Sequence, residues 1–239
     1  MELRNAGIIA GRELKSFFIS PVAYAVGFFF LLILGAWFYF IALAANDVNA
    51  SLTGTLNVLS YLTIPTAAVI TMHLFADERR SGTIELLMTY PLSDWQVVLG
   101  KYLASLVLFA FVLALTLQYP LFLIIYGKPD LGTVFTGYLG AFLLGASFVA
   151  MGVLASSLTR SSVVAAIITL LVLMGLQLMT AGAVIGGPVG RVFHYLSFAG
   201  HFENFSAGLI DTRDLIYMLT FIIFTLFASV RVIEINRWK

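Results

Sequence analysis

The 239-residue sequence contains no cysteine, which excludes disulfide staples, thiolate metal sites and cysteine nucleophiles. Charge is almost as scarce, at 10% of residues against 61% hydrophobic, and the mean hydropathy is +1.01. No soluble core could hide that much apolar surface, so the composition is that of an integral membrane protein. Nucleotide machinery is missing as well. The one Gly-Lys pair, Gly100 and Lys101, is followed by Tyr102 and lacks the preceding glycine loop, so this chain does not bind ATP through G-x-x-x-x-G-K-[ST]. No HExxH occurs, which leaves zinc-dependent intramembrane proteolysis without a site. No ionisable residue lies well inside any apolar run, and this argues against a carrier that holds a coupling ion between its helices. Energy must then come from outside the chain. No cofactor, metal or nucleic-acid partner is indicated.

What is present is a series of apolar runs separated by short polar links. Residues 1–20 carry Leu3, Gly7, Ala10, Leu14 and Phe17 on one helical stripe with Arg4, Arg12 and Lys15 opposite, the pattern of an interfacial helix or of one packed on protein. Ser20 and Pro21 form a helix start signal. Spans are expected at 22–44, 56–75, 102–125, 133–158, 163–184 and 215–233, each long enough for a bilayer, in one transmembrane domain over 1–239. Asn46 to Asn57 reads as a polar link. Pro65 and Pro120 fall inside spans and free a carbonyl each. The fourth span carries Gly137, Gly140, Ala141, Gly145, Ser147 and Gly152, small residues that let helices approach closely, which makes it the centre of its bundle. Residues 186–214, with Phe193, Tyr195, Phe198, Phe202 and Phe205 among its charges, are too apolar for a free loop and read as a reentrant segment.

The most distinctive stretch is the island at 77–100. Asp77, Glu78, Arg79 and Arg80 leave the membrane, Ser81 or Gly82 can cap a short helix from Thr83 to Tyr90, and Pro91 ends it. Ser93 with Gln96 has the S-x-x-Q form of a capping box opening a long helix through Lys101. In the short helix Ile84, Leu86, Leu87 and Met88 cannot all face one side, so lipid or another protein covers the remainder. Flanked by Glu78, Arg79 and Glu85, those side chains have the anchor-and-rim composition of a docking surface.

Six spans put both termini on one side. Arg4, Arg12, Lys15, Arg79, Arg80, Lys101, Arg160, Arg231, Arg237 and Lys239 share it, while Lys128, Arg191 and Arg213 lie opposite, so termini and island are expected to be cytoplasmic. Gly145, Ala146, Ser147 and Phe148 resemble the start of a rhomboid-type serine motif, but the second glycine is replaced and the last span has no histidine, which makes Ser147 a packing residue.

Phe75 to Leu87, FADERRSGTIELL, resembles the E-x-x-x-G-T-x-E-L-L run of membrane subunits of ABC-2 type ATP-binding-cassette transporters, and Pro91, Leu92, Ser93, Gly100 and Lys101 continue it. With SFFISPVAYAV and HFENFSAGLIDTRDLIY, the likeness covers most of the chain and is nearest to the gliding-motility-associated permeases. The resemblance implies an all-α, six-span fold of the ABC-2 or type V exporter kind, with an N-terminal interfacial helix, a cytoplasmic coupling helix and a reentrant extracytoplasmic segment before helix six. It further implies a permease subunit of an exporter, lodged in the plasma (inner) membrane, that couples ATP hydrolysis by a separate ATPase to substrate movement or to work on an extracytoplasmic partner. Its implied partners are a separate cytoplasmic ABC ATPase, a second copy or a related permease, and a membrane-anchored extracytoplasmic companion. Glu78, Arg79, Gly82, Thr83, Glu85, Leu86, Leu87 and Met88 would form the ATPase-coupling site, and Phe202, Phe205 and Gln177 the gate or path. A membrane scaffold that recruits a cytoplasmic protein without transport is the alternative.

Overall fold

The computed structural model describes residues 2–44, 48–82, 93–126 and 129–237, which contain helices and no strand. In chain order they are α1 (Glu2–Ile19), α2 (Pro21–Ala44), α3 (Val48–Thr71), α4 (Ala76–Ser81), α5 (Asp94–Leu115), α6 (Gln118–Tyr126), α7 (Leu131–Leu158) and α8 (Ser162–Leu178). A 3-10 segment (Met179–Ile185) then leads to α9 (Gly187–Leu196), α10 (Phe198–Ser206) and α11 (Thr212–Arg237). Six stretches are long and apolar enough to cross a bilayer: Pro21–Phe40, Leu52–Ser81, Asp94–Ile125, Leu131–Leu158, Ser162–Gly182 and Thr212–Ile235. The protein is an all-α, multi-pass membrane protein.

The small residues of α7 explain the architecture. A Cβ on Gly137 would overlap Leu56 of α3, one on Gly145 would overlap Phe109 of α5, one on Gly140 would overlap Phe205 of α10, and one on Gly152 would meet Thr71 of α3. Each glycine thus admits a different neighbour to backbone distance, the contact that packing in lipid depends on. Helices α3 and α7 run parallel in a single register. Leu56 against Gly137, Thr71 against Gly152 and the Phe75–Ser156 hydrogen bond all pair positions 81 apart.

Several boundaries differ from the sequence reading. Residues 48–57 are not a link but the first turns of α3, because Leu52, Leu56 and Leu59 form a buried stripe that outweighs the polar Thr53 and Asn57 between them. The third span is two helices with a turn at Thr116 and Leu117. Pro120 has no N–H to offer the carbonyl four residues back, and that Thr116 carbonyl accepts the Tyr119 N–H at 3.0 Å and the Tyr138 hydroxyl at 2.9 Å. The fifth span ends its α-helix at Leu178 and tightens into the 3-10 segment.

The α9–α10 insertion reaches deep into the bundle. Phe205 lies against Gly140, with its carbonyl accepting Thr136 Oγ1 at 3.0 Å, while the Phe198 ring meets the Phe148 ring at 5.1 Å. Helix α10 therefore runs antiparallel to α7 and puts His201 level with the middle of α7, about 20 Å along it from Leu131 at 1.5 Å per residue. Ser147 Oγ reaches the Met218 carbonyl, so the second turn of α11 lies level with Ser147, and Asp214 about 6 Å back along the helix at 1.5 Å per residue. This revises the expectation that no ionisable group lies well inside a span. Asp214 is 4% exposed, because the insertion carries the start of the last helix inward.

Candidate functional site

The island meets the bundle where α1, α4 and the start of α5 converge. The local sequence builds each piece. Ser93 and Gln96 form the reciprocal capping box, Ser93 Oγ accepting the Gln96 N–H and Gln96 Oε1 accepting the Ser93 N–H, which fixes the first turn of α5. Gly100 then lies so close to Ile9 and the Ala6 carbonyl that a Cβ would overlap them. This close approach packs the apolar stripe of α1 along α5.

Lys101 follows directly and is 1% exposed. Its Nζ donates to Glu78 Oε1 at 2.8 Å, to the Leu74 carbonyl at 2.7 Å and to Glu13 Oε1 at 3.3 Å. The Phe75 ring covers it, 5.1 Å from centroid to nitrogen. One ammonium thereby ties the N-terminal helix, the end of α3 and α4 to α5. A buried ammonium is tolerated only with such pairing, because desolvation otherwise exceeds the Coulomb gain. Arg12 at 3.0 Å adds a second cation to Glu13. Between these elements lies a cavity of about 480 Å³ bordered by Glu13, Ser16, Asp77, Glu78 and Lys101.

The passage from α3 to α4 is held from across the bundle. The backbone turns at residues 72–75, and no side chain of α4 caps its start. Instead Ser156 Oγ of α7 accepts the N–H groups of Phe75 at 3.0 Å and Ala76 at 3.2 Å and donates to the Met72 carbonyl at 3.2 Å. Arg79 Nη1 donates to the Ser157 carbonyl next door. Helix α4 ends at Gly82 in the left-handed region, φ 72°, where a glycine avoids the Cβ penalty.

Of the coupling residues expected from sequence, Glu78 and Arg79 are thus both anchored at this junction, and Gly82 is its exposed exit. Thr83, Glu85, Leu86, Leu87 and Met88, with the helix expected over Thr83 to Tyr90, lie outside the described residues. Phe202, Phe205 and Gln177 are gathered in the opposite half and are all buried. Gln177 Nε2 donates to Ser60 Oγ at 3.2 Å and its backbone carbonyl accepts from Ser197 Oγ, so it joins α3, α8 and the cap of α10. Phe205 fills the notch at Gly140. Ser147 donates to the Leu143 carbonyl at 2.9 Å, a packing role.

Sequence reasoning passed over Glu13 and Ser156, and placed Lys101 in the family run without its ion pairs. The available signal for that pairing was its place about two turns inside an apolar helix, past the capping box, where an unpaired lysine would be costly.

Residues 7–209 match the family described as ABC-2 family transporter protein. The chain is also similar to the probable multidrug ABC transporter permease YbhR of Escherichia coli strain K12, with 28% identity over 102 residues, 43% of this chain and 27% of the relative. The same figures hold for the protein of that name from Escherichia coli O157:H7. The matched stretch spans about a quarter of the length of these curated relatives.

Proposed function

The chain belongs to the ABC-2 family of transporter proteins, and from that premise we propose that it is the permease subunit of an exporter driven by a separate cytoplasmic ATPase through the island at 77–100. The observation that carries this reading is the Lys101 junction. Any force applied to the segment that leaves α4 at Gly82 and re-enters at Ser93 is delivered to α3 and α5 together, and Glu13 brings α1 with them. A helix lying loosely on lipid would need no such fastening. The Lys and Arg distribution supports cytoplasmic termini and insertion in the plasma (inner) membrane. Helices α2 and α8 are the least covered spans, 22% buried each, and this supports pairing with a second copy or a related permease through those faces. The 203 matched residues in one stretch support a single transmembrane domain.

The test is Lys101→Met in the chain purified with its associated ATPase. The substitution keeps the apolar stem and removes the charge. Co-purification should persist while transport-linked ATP turnover falls at least tenfold. Unchanged turnover would remove the junction from the coupling route, and an intact preparation with no ATPase would leave the scaffold reading.

A further inference from the structure

The deep recess between α9, α10 and α11 takes no part in that coupling. A cavity of about 300 Å³ lies there, bordered by Arg191, His194, His201, Asn204, Arg213 and Asp214. Its floor is closed on itself. His201 Nδ1 is 2.6 Å from Asp214 Oδ1 and its Nε2 is 2.8 Å from the Tyr195 carbonyl, while Asn204 Nδ2 donates to Asp214 Oδ2 at 2.8 Å. Both ring nitrogens of His201 and both oxygens of Asp214 thus find partners inside the floor. The Tyr217 ring stacks on His201 at 4.1 Å and its hydroxyl donates to the Leu196 carbonyl at 2.8 Å, which locks the three helices around the floor.

The walls are different. The side chains of Arg191, His194 and Arg213 have no hydrogen-bond or ion-pair partner among the described residues and are exposed. Asp211 also borders the recess, but its Oδ1 accepts the Arg213 backbone N–H at 2.9 Å. Arg191 and His194 further border an adjoining space of about 440 Å³ against Gly186, Gly187 and Gly190, where the first turn of α9 presents backbone N–H groups. The wall thus presents two guanidinium groups and an imidazole against the one carboxylate of Asp211, and Arg213 sits one residue from the buried Asp214, near the depth of the middle of α7. Guanidinium groups at membrane depth face an aqueous cavity or an anion rather than hydrocarbon. Beside them, Val189 and Val192 of α9 and Ile216 of α11 are exposed and apolar.

We infer that this recess binds a phosphoryl anion carried on an amphiphile, the phosphate at Arg191, Arg213 and His194 and the chain along the exposed valines and Ile216. Two guanidinium forks with an imidazole suit the several oxygens of a phosphate. The inference gives a ligand class to the permease proposed above and rests on that reading for its meaning as cargo; its test contains no ATPase, so the two fail separately.

The full chain, purified in uncharged detergent, is titrated with phosphatidylglycerol, with a phosphate-free diacylglycerol and with inorganic phosphate, and bound ligand is counted by native mass spectrometry. Phosphatidylglycerol should bind saturably, and binding should weaken at least tenfold in R191Q/R213Q and recover only in part in R191K/R213K, which restores the charge without the fork. Arg231→Gln, which removes a cation paired with Glu234 at the opposite end, should change nothing. Equal binding by R191Q/R213Q, or equal binding of the diacylglycerol, would overturn the site. Binding of inorganic phosphate alone, with no preference for the lipid, would overturn the amphiphile as its source.

Discussion

Ser156 Oγ of α7 lies 3.0 Å from the backbone nitrogen of Phe75 and caps α4 from a different helix. A turn between a membrane span and a short surface helix leaves N–H groups without intrahelical partners. At this turn two of them, at Phe75 and Ala76, are buried and depend on one hydroxyl. Ser156→Ala should therefore destabilise the protein by about 1–3 kcal/mol, the cost of leaving a buried donor unmade. Thermal unfolding in detergent reads the loss. Limited proteolysis near Gly82 should accelerate in the same variant, because α4 loses its tether before the bundle melts. A variant with unchanged melting and cleavage would mean that the cap contributes nothing.

Two glycines in spans separate packing from propensity. A Cβ at Gly145 would overlap the Phe109 ring, whereas nothing lies within 4 Å of one at Gly175. Gly145→Ala should cost about 1–3 kcal/mol by overpacking. Gly175→Ala should be neutral or stabilising by up to about 1 kcal/mol, since helix interiors favour alanine. Melting temperatures of the two variants measured side by side decide it, and equal shifts would refute the close contact of α7 with α5 at Gly145.

The sequence made some of this legible and not the rest, for physical reasons. Small residues at Gly137, Gly140, Gly145 and Gly152 announce a central helix because close approach has few other uses in lipid. Ser93 and Gln96 announce a helix start because both partners of the capping box are local. Lys101 carries no such announcement. Its partners Glu13 and Glu78 are 88 and 23 positions away, and from sequence it is a basic residue that continues the family run, with nothing to name what pairs with it. Asp214 reads as an interfacial helix start for the same reason. Only the packing of α10 against α7, which sets how deep the insertion goes, puts it beside His201. Family membership was readable from FADERRSGTIELL, yet the motif does not show which atoms hold its flanks.

The docking face of the island can be tested without disturbing the junction. Residues 83–92 join α4 to the capped start of α5, and the proposed function assigns the ATPase contact to this segment. Reversing charge at Glu85 alters the rim and leaves Glu13, Glu78 and Lys101 in place. Glu85→Lys should reduce ATPase association at least tenfold with melting unchanged within about 0.5 kcal/mol, the usual range for surface substitutions. Full association with normal turnover would assign coupling elsewhere.

Pro120 and Tyr138 form a compensating pair that a double-mutant cycle can resolve. Proline takes away the Thr116 carbonyl's regular helical donor, and the Tyr138 hydroxyl reaches it alongside the Tyr119 N–H, while Thr116 Oγ1 donates to the Leu113 carbonyl at 2.6 Å and lies 3.2 Å from the Tyr138 hydroxyl. Tyr138→Phe alone should cost about 0.6–2 kcal/mol, the range for a hydrogen bond between membrane helices. In a Pro120→Ala background residue 120 regains an N–H that can reach the same carbonyl, so the helix no longer needs the tyrosine. The second Tyr138→Phe should then cost less than half as much, giving a coupling energy of at least about 0.5 kcal/mol. Additive losses would mean that the turn at Thr116 and Leu117 is set by packing around α5 and α6 and not by the missing N–H.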